Sequence, residues 1–128
     1  MINKIIKENN YRGFDYFVKH LDWTDNTKKG NIDNSYSLDY KRTTDWYCGY
    51  VRIPEGHEFY GKRYQDLPYF DVHGGLTFSG ELNGIDGYLI GFDCHHLWDT
   101  SIINDENYTE RHCIKLIDQL IDGVTEND

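Results

Sequence analysis

The chain has no long apolar run, only two prolines and one methionine, and an odd number of cysteines, three. Without about 20 consecutive apolar residues no transmembrane helix is expected. The start MINKIIKENN lacks the apolar stretch of a signal peptide, so the expected location is the cytosol. Three cysteines fit reduced thiols better than a disulfide framework, and in a cytosolic protein the sequon Asn107-Tyr108-Thr109 carries no meaning. With so few prolines and no internal repeat there is no linker, and residues 1–128 read as one domain. No Walker loop, no G-x-G-x-x-G and no G-x-S-x-G is present, which removes those nucleotide cradles and the serine-hydrolase elbow. His73-Gly74-Gly75 therefore has no serine nucleophile to serve as an oxyanion turn. Lys28-Lys29 and Lys41-Arg42 are too sparse for a nucleic-acid-binding stripe.

Aromatic residues are plentiful at 16%, carried by eleven Tyr, six Phe and three Trp among 128 residues. That load argues for a packed core and for a surface suited to binding, since Tyr and Trp combine apolar area with a polar tip. The net charge of −9 is spread unevenly. Residues 1–63 hold eleven Lys/Arg against nine Asp/Glu, and residues 64–128 hold two against thirteen. An acidic half of this kind is expected to repel nucleic acid and to be drawn to a basic groove on another protein.

The expected architecture is α+β, a small antiparallel sheet with a C-terminal amphipathic helix packed on it. Residues 1–45 read as an N-terminal segment and loop, 46–106 as a β-rich core, and 107–124 as the helix. Ile2, Ile5 and Ile6 have helical spacing and suggest a short first helix. YRGFDYFVKHLDW fits a strand or a helix, and DNTKKGNIDNSYS reads as an exposed loop. WYCGYVRIP should be a strand ended by Pro54, and EGHEFYGKRYQDLP a loop. YFDVHGGLTFSG and GYLIGFDCHH should be strands joined by the turn residues of LNGIDG, forming an antiparallel hairpin. Ile114, Ile117, Leu120, Ile121 and Val124 recur at helical steps. Asn107 and Glu110 resemble a capping box, and Gly123 can end the helix.

The stretch GFDCHHLWD, Gly91 to Asp99, gathers chemistry-bearing side chains. Strand alternation puts Tyr88, Ile90, Phe92, Cys94 and His96 on one face and Asp93 and His95 on the other. Cys94 and His96 form a C-x-H pair, His73 precedes two glycines where the backbone can bend, Cys48 lies in the WYCGY strand, and His57 follows it. The candidate metal ligands are therefore Cys48, His57, His73, Cys94 and His96. Two sulfurs and two imidazoles from this group would make a tetrahedral zinc site, with bonds of about 2.0–2.3 Å. Asp93 or Asp99 can serve as an acid/base beside it or replace a ligand. The bland reading makes both cysteines small buried hydrophobes and the histidines hydrogen-bonded loop residues. His95 and His112 read as surface residues, and Trp98 as ordinary packing. A Cys94 nucleophile with His73 or His96 as its base has no local signature behind it.

CGYVRIPEGHEFYG, VHGGLTFSG and GFDCHHLWD together resemble a family of small, mostly uncharacterised phage and prophage proteins with the motifs C-G-Y-V, P-x-G-H, H-G-G-L-T-x-S-G and G-F-D-C-x-H. The resemblance spans about Cys48 to Leu120. Cys48, His57, His73, Asp93, Cys94, His96 and Asp99 occupy its motif positions, while His95 stands for a small residue and Trp98 for a glycine. By type, a short, acidic, Tyr-rich chain is similar to phage proteins that disable bacterial immunity, among them type II anti-CRISPR proteins that bind Cas9, some of which hold metals. That resemblance implies a non-enzymatic inhibitor in the host cytoplasm, with Cas9 as partner and zinc as a structural ion. The rival expectation is a small metal-dependent hydrolase, or a binder of a nucleotide signal.

Overall fold

The computed structural model describes residues 2–22, 45–96, 99–101 and 103–123. Its architecture is α+β, an antiparallel sheet with one helix packed across it. The strands are β1 (Ile2–Tyr11), β2 (Phe14–Asp22), β3 (Asp45–Ile53), β4 (Phe78–Leu82) and β5 (Ile85–Asp93), followed by helix α1 (Glu106–Asp122). The sheet order is β1-β2-β3-β5-β4, and every neighbouring pair is antiparallel. No helix among the described residues is long and apolar enough to cross a membrane. The expected exposed loop DNTKKGNIDNSYS, the pairs Lys28-Lys29 and Lys41-Arg42, Trp98 and Val124 lie outside the described residues.

The expected first helix is a strand, and residues 2–22 form two strands. Ile5 packs against the core on one side of the sheet and Ile6 against the core on the other. Adjacent isoleucines of a strand point to opposite faces, and this two-sided burial mimics helical spacing in the sequence. A register shift between Ile5 and Lys7 bends this edge strand. Tyr11 pairs with Phe14 across a two-residue turn in which Arg12 (φ 52°) and Gly13 (φ 93°) are both left-handed, the requirement of a type I′ hairpin. YFDVHGGLTFSG is extended only from Phe78; Asn83-Gly84 makes the β4–β5 turn, while Asp86-Gly87 lies inside β5.

The core has two layers. Under the helix, Val18, Val51, Ile53, Ile90, Phe92 and Cys94 meet Cys113, Leu116 and Ile117. On the far face Phe17, Cys48, Tyr50, Ile85 and Leu89 form a second cluster. Two cross-strand glycines make room at the sheet centre. Gly49 pairs with Phe92 and Tyr50 pairs with Gly91. A Cβ on Gly49 would lie 2.5 Å from the Phe92 ring and 2.7 Å from Cys113 Sγ. A Cβ on Gly91 would lie 2.5 Å from the Tyr50 ring. Each ring thus lies over the glycine opposite it, one on each face.

Helix α1 is capped by Asp105, whose carboxylate accepts from the Tyr108 N–H, so Asn107 lies in the first turn rather than at the expected cap. Gly123 ends the helix as expected, at φ 84° with its N–H on the Gln119 carbonyl. The buried seam runs through Thr109, Cys113, Leu116 and Ile117, with Ile114 and Leu120 at its margins and Ile121 40% exposed. Leu116 and Ile117 are fully buried, and each is worth roughly 1.5–3 kcal/mol of transfer from water.

Charge complements this seam without dominating it. Lys7 reaches Glu110 (2.8 Å) and Glu106 (3.2 Å), Arg12 reaches Asp118 and Asp122 (both 2.9 Å), and Lys115 reaches Asp71 (3.0 Å). Such partly exposed pairs are screened by solvent and contribute little each. Basic residues of β1 and its turn fold back onto the helix carboxylates.

Two outcomes are expected. Gly49→Ala should lower stability by about 1–3 kcal/mol in urea unfolding, while Gly56→Ala, with nothing within 4 Å, stays within about 0.5 kcal/mol. Equal effects would mean that the helix does not press on Gly49. The hydrogen bonds from Lys7 and then Tyr16 hold the Glu110 carboxyl below its ordinary 4.5. Its stabilising contribution is then complete above that value and lost as the pH falls through the lowered folded value. Glu110→Gln should flatten stability against pH below about 4.5, measured by denaturant titration at stepped pH.

Candidate metal centre

Three segments converge beside the start of α1. The first is the irregular stretch 69–76, pinned by the buried side chains of Phe70 and Val72. The Asp71 N–H donates to Gln119 Oε1 at 2.7 Å, and Gln119 Nε2 donates to the Asp71 carbonyl at 3.0 Å, tying this stretch to the helix. His73 follows, and Gly74 (φ 69°) and Gly75 (φ 77°) take the left-handed backbone that turns the chain away. The second segment leaves β5, where the Cys94 N–H still donates to the Tyr47 carbonyl at 2.9 Å. His96 comes next, and the Asp99 carboxylate accepts the His96 backbone N–H at 2.8 Å. The third is the first two turns of α1, which carry Tyr108 and His112.

The Asp99 side chain is only 5% exposed and stands between the two imidazoles. His73 Nε2 lies 2.8 Å and His96 Nδ1 2.9 Å from the same oxygen, Asp99 Oδ2. Burial alone would raise this carboxyl, but hydrogen bonds from His73, the His96 backbone and the His96 ring outweigh it and hold it below its ordinary value. A carboxylate only accepts, so both ring nitrogens facing it carry hydrogens. In neutral His73, Nδ1 is then bare and accepts the Tyr108 O–H at 2.7 Å. Burial, with the Asp99 carboxylate behind it, pushes the Tyr108 phenol up, so its hydrogen stays in place.

His112, expected at the surface, is half-buried and part of this network. It stacks on Tyr108, with centroids 4.6 Å apart, and its Nδ1 accepts the His73 backbone N–H at 3.0 Å. Burial first, then the charge of Lys115, lowers its basicity, in keeping with an accepting Nδ1.

The five expected ligands do not form one site. His73 and His96 come together, and with Asp99 they offer three donor atoms all within 4.8 Å of one another. Cys94 Sγ is not among them. It lies in the core under the helix, 3.6 Å from Thr109 Oγ1, and burial pushes its thiol up to about 12. Cys48 belongs to the opposite face of the sheet, and burial pushes its thiol up to about 11. A sheet separates the two sulfurs, so the two-sulfur, two-imidazole set is replaced by two imidazoles and a carboxylate. His57 stays in its loop, accepting the Phe59 N–H at Nδ1 and meeting Phe14 edge-on. His95 is exposed, as expected, and stacks on Trp46 at 3.8 Å.

Tyr108 and His112 had only one sequence signal, their i,i+4 spacing on an amphipathic helix. Asp93 flanks the centre, with Oδ1 3.9 Å from His96 Nδ1 and Oδ2 accepting from the Thr77 hydroxyl at 3.1 Å.

Gly74 makes the centre possible, because a Cβ there would lie 2.3 Å from His96 Cε1. Gly74→Ala should cost about 1–3 kcal/mol in denaturant unfolding and shift the His96 ring resonances. Gly75→Ala, with nothing within 4 Å, should cost only the left-handed backbone term of about 1–2 kcal/mol and leave those resonances in place. Unchanged His96 resonances in Gly74→Ala would show that the ring does not rest on this glycine. Comparison with family models, curated proteins and solved structures finds no match to this chain, so its own geometry carries the functional reading.

Proposed function

We propose that the protein binds a divalent transition-metal ion, zinc in the first instance, through His73, His96 and Asp99, and that it is a small metal-dependent hydrolase. The carrying observation is that His73, His96 and Asp99 each offer a donor atom, all within 4.8 Å of one another, with His73 Nε2 and His96 Nδ1 both on Asp99 Oδ2. Imidazole and carboxylate are ordinary zinc ligands, and three protein ligands leave a coordination position for water, the pattern of catalytic rather than structural sites. To ligate an ion there, each neutral ring would carry its hydrogen on the nitrogen turned away from Asp99, and acid, by protonating both nitrogens, would weaken binding. Tyr108 at His73 Nδ1 is the outer partner that orients a ligating imidazole. Asp93, with Oδ1 3.9 Å from His96 Nδ1, would be the neighbouring carboxylate able to act as a general base beside such an ion.

A second reading, a phage-encoded inhibitor of a bacterial defence protein such as Cas9, draws on the motif resemblance and on Tyr60, Tyr69 and Ile103, which are 42%, 70% and 69% exposed. Aromatic side chains of this kind anchor protein interfaces. The ion pairs on α1 leave that reading to rest on apolar contact more than on long-range attraction.

Zinc titration of metal-stripped protein should give one ion per chain. His73→Ala and Asp99→Asn should each weaken it at least about tenfold, while Cys48→Ser and Cys94→Ser keep the wild-type affinity. Loss of binding in the cysteine variants alone would overturn the three-ligand centre. Zinc that leaves on chelation without unfolding the chain supports the hydrolase. A chelator that melts the protein favours a structural ion and, with it, the inhibitor.

A further inference from the structure

The sheet face turned away from α1 holds a cavity of about 310 Å³, walled by Trp46, Tyr50, Phe78 and His95. We propose that this cavity binds a small ligand carrying a planar aromatic ring and an anionic group, the chemistry of a mononucleotide. Two aromatic pairs shape it. The Trp46 and His95 rings are stacked 3.8 Å apart at 17°, presenting a flat wall. Tyr50 and Phe78 meet at 86° with centroids 5.4 Å apart, presenting an edge and a face. Stacking on such walls tolerates any base, because every base has a π face. The volume lies at the small end of ligand pockets and suits a ring of nucleobase size rather than a long chain.

Polar groups are placed at the margins. Asp93 lines the cavity, with Oδ1 accepting the His95 N–H and Oδ2 the Thr77 hydroxyl. A carboxylate has about four acceptor positions, so capacity remains for a ring N–H. Lys19 lies over Tyr50, its ammonium 5.5 Å from the ring centroid. Unlike Lys7, Arg12, Arg52 and Lys115, it makes no ion pair among the described residues. Lys19 also lines a second cavity, of about 270 Å³, together with Asn3 and Asn83. Lys19 thus joins an aromatic cavity to one edged by amides. A base in the first and a phosphate at Lys19, with amide donors beyond it, satisfies every group named. Asp93 is also 3.9 Å from His96 Nδ1, so a ligand seated here abuts the candidate metal centre without depending on the ion.

The test is calorimetric titration of the full chain, in buffer containing a chelator, with each of the four 5′-ribonucleoside monophosphates. At least one should bind. Its nucleoside should bind about tenfold more weakly, and ribose 5-phosphate not at all at the same concentrations. Lys19→Met should reduce the nucleotide to the affinity of its nucleoside, and Trp46→Leu should weaken both about tenfold. Thermal melts establish that each variant is folded, and if Trp46→Leu is not, Phe78→Leu replaces it. The proposal is overturned if no monophosphate binds at millimolar concentration, or if ribose 5-phosphate binds as well as the nucleotide. It is equally overturned if Lys19→Met leaves nucleotide affinity unchanged, or if binding needs added zinc. Retention of nucleotide binding by His73→Ala separates this site from the metal centre.

Discussion

The close approach of α1 to the sheet at Gly49 is the constraint on which the rest depends. The missing side chain lets Phe92 lie across β3 and lets Cys113 descend onto it. That contact sets the height and rotation of the helix, because Leu116 and Ile117 can be fully buried only if Cys113 is. Apolar burial outweighs the surface ion pairs here by several-fold, so it decides where the helix rests and the charges follow. His112 is the neighbour of Cys113, and Tyr108 is one turn earlier. The hydrogen-bonding face offered to His73 is therefore a consequence of core packing several ångströms away.

The candidate centre is built outward from one buried carboxylate. Asp99 accepts from two imidazoles and a backbone N–H, and this is what draws two otherwise unrelated loops together. Each loop is separately anchored, one by Phe70, Val72 and the Asp71–Gln119 hydrogen bonds, the other by the Cys94 N–H on Tyr47. Such support fixes the side-chain atoms of the cluster in place, the preorganisation that a binding site requires. The same carboxylate holds the rings with their hydrogens turned toward it, which fixes the tautomer of each neutral ring.

The two faces of the sheet divide the chemistry. Under the helix the core is dry, and the polar network gathers at one end of α1. On the far face, aromatic rings and one lysine line a cavity that the helix does not cover. Asp93, at the last residue of β5, is the point where the two come within reach of each other. A strand end is a natural place for such a junction, since alternation stops there and successive side chains no longer have to point to opposite faces.

Much of the framework was legible in the sequence because it rests on periodicity and local chemistry. Alternation placed Ile90, Phe92 and Cys94 on one face of β5, Pro54 ended β3, and Gly123 ended α1. Local pattern was misleading where burial is two-sided, as at Ile5 and Ile6, and at the helix start, where Asp105 outcompeted Asn107 for the cap. His73, His96 and Asp99 could be named as chemistry-bearing from residue type, yet their grouping could not, because 26 positions separate His73 from Asp99. Cys48 and Cys94 are the converse case. They are suitable donors by type, and the sheet between them keeps them apart. By itself, then, the sequence determined the α+β class, the C-terminal helix, the inward face of β5 and the cast of ionisable side chains. Which of those side chains meet was decided only by the tertiary structure, because a coordination site depends on distances that packing, and not spacing along the chain, imposes.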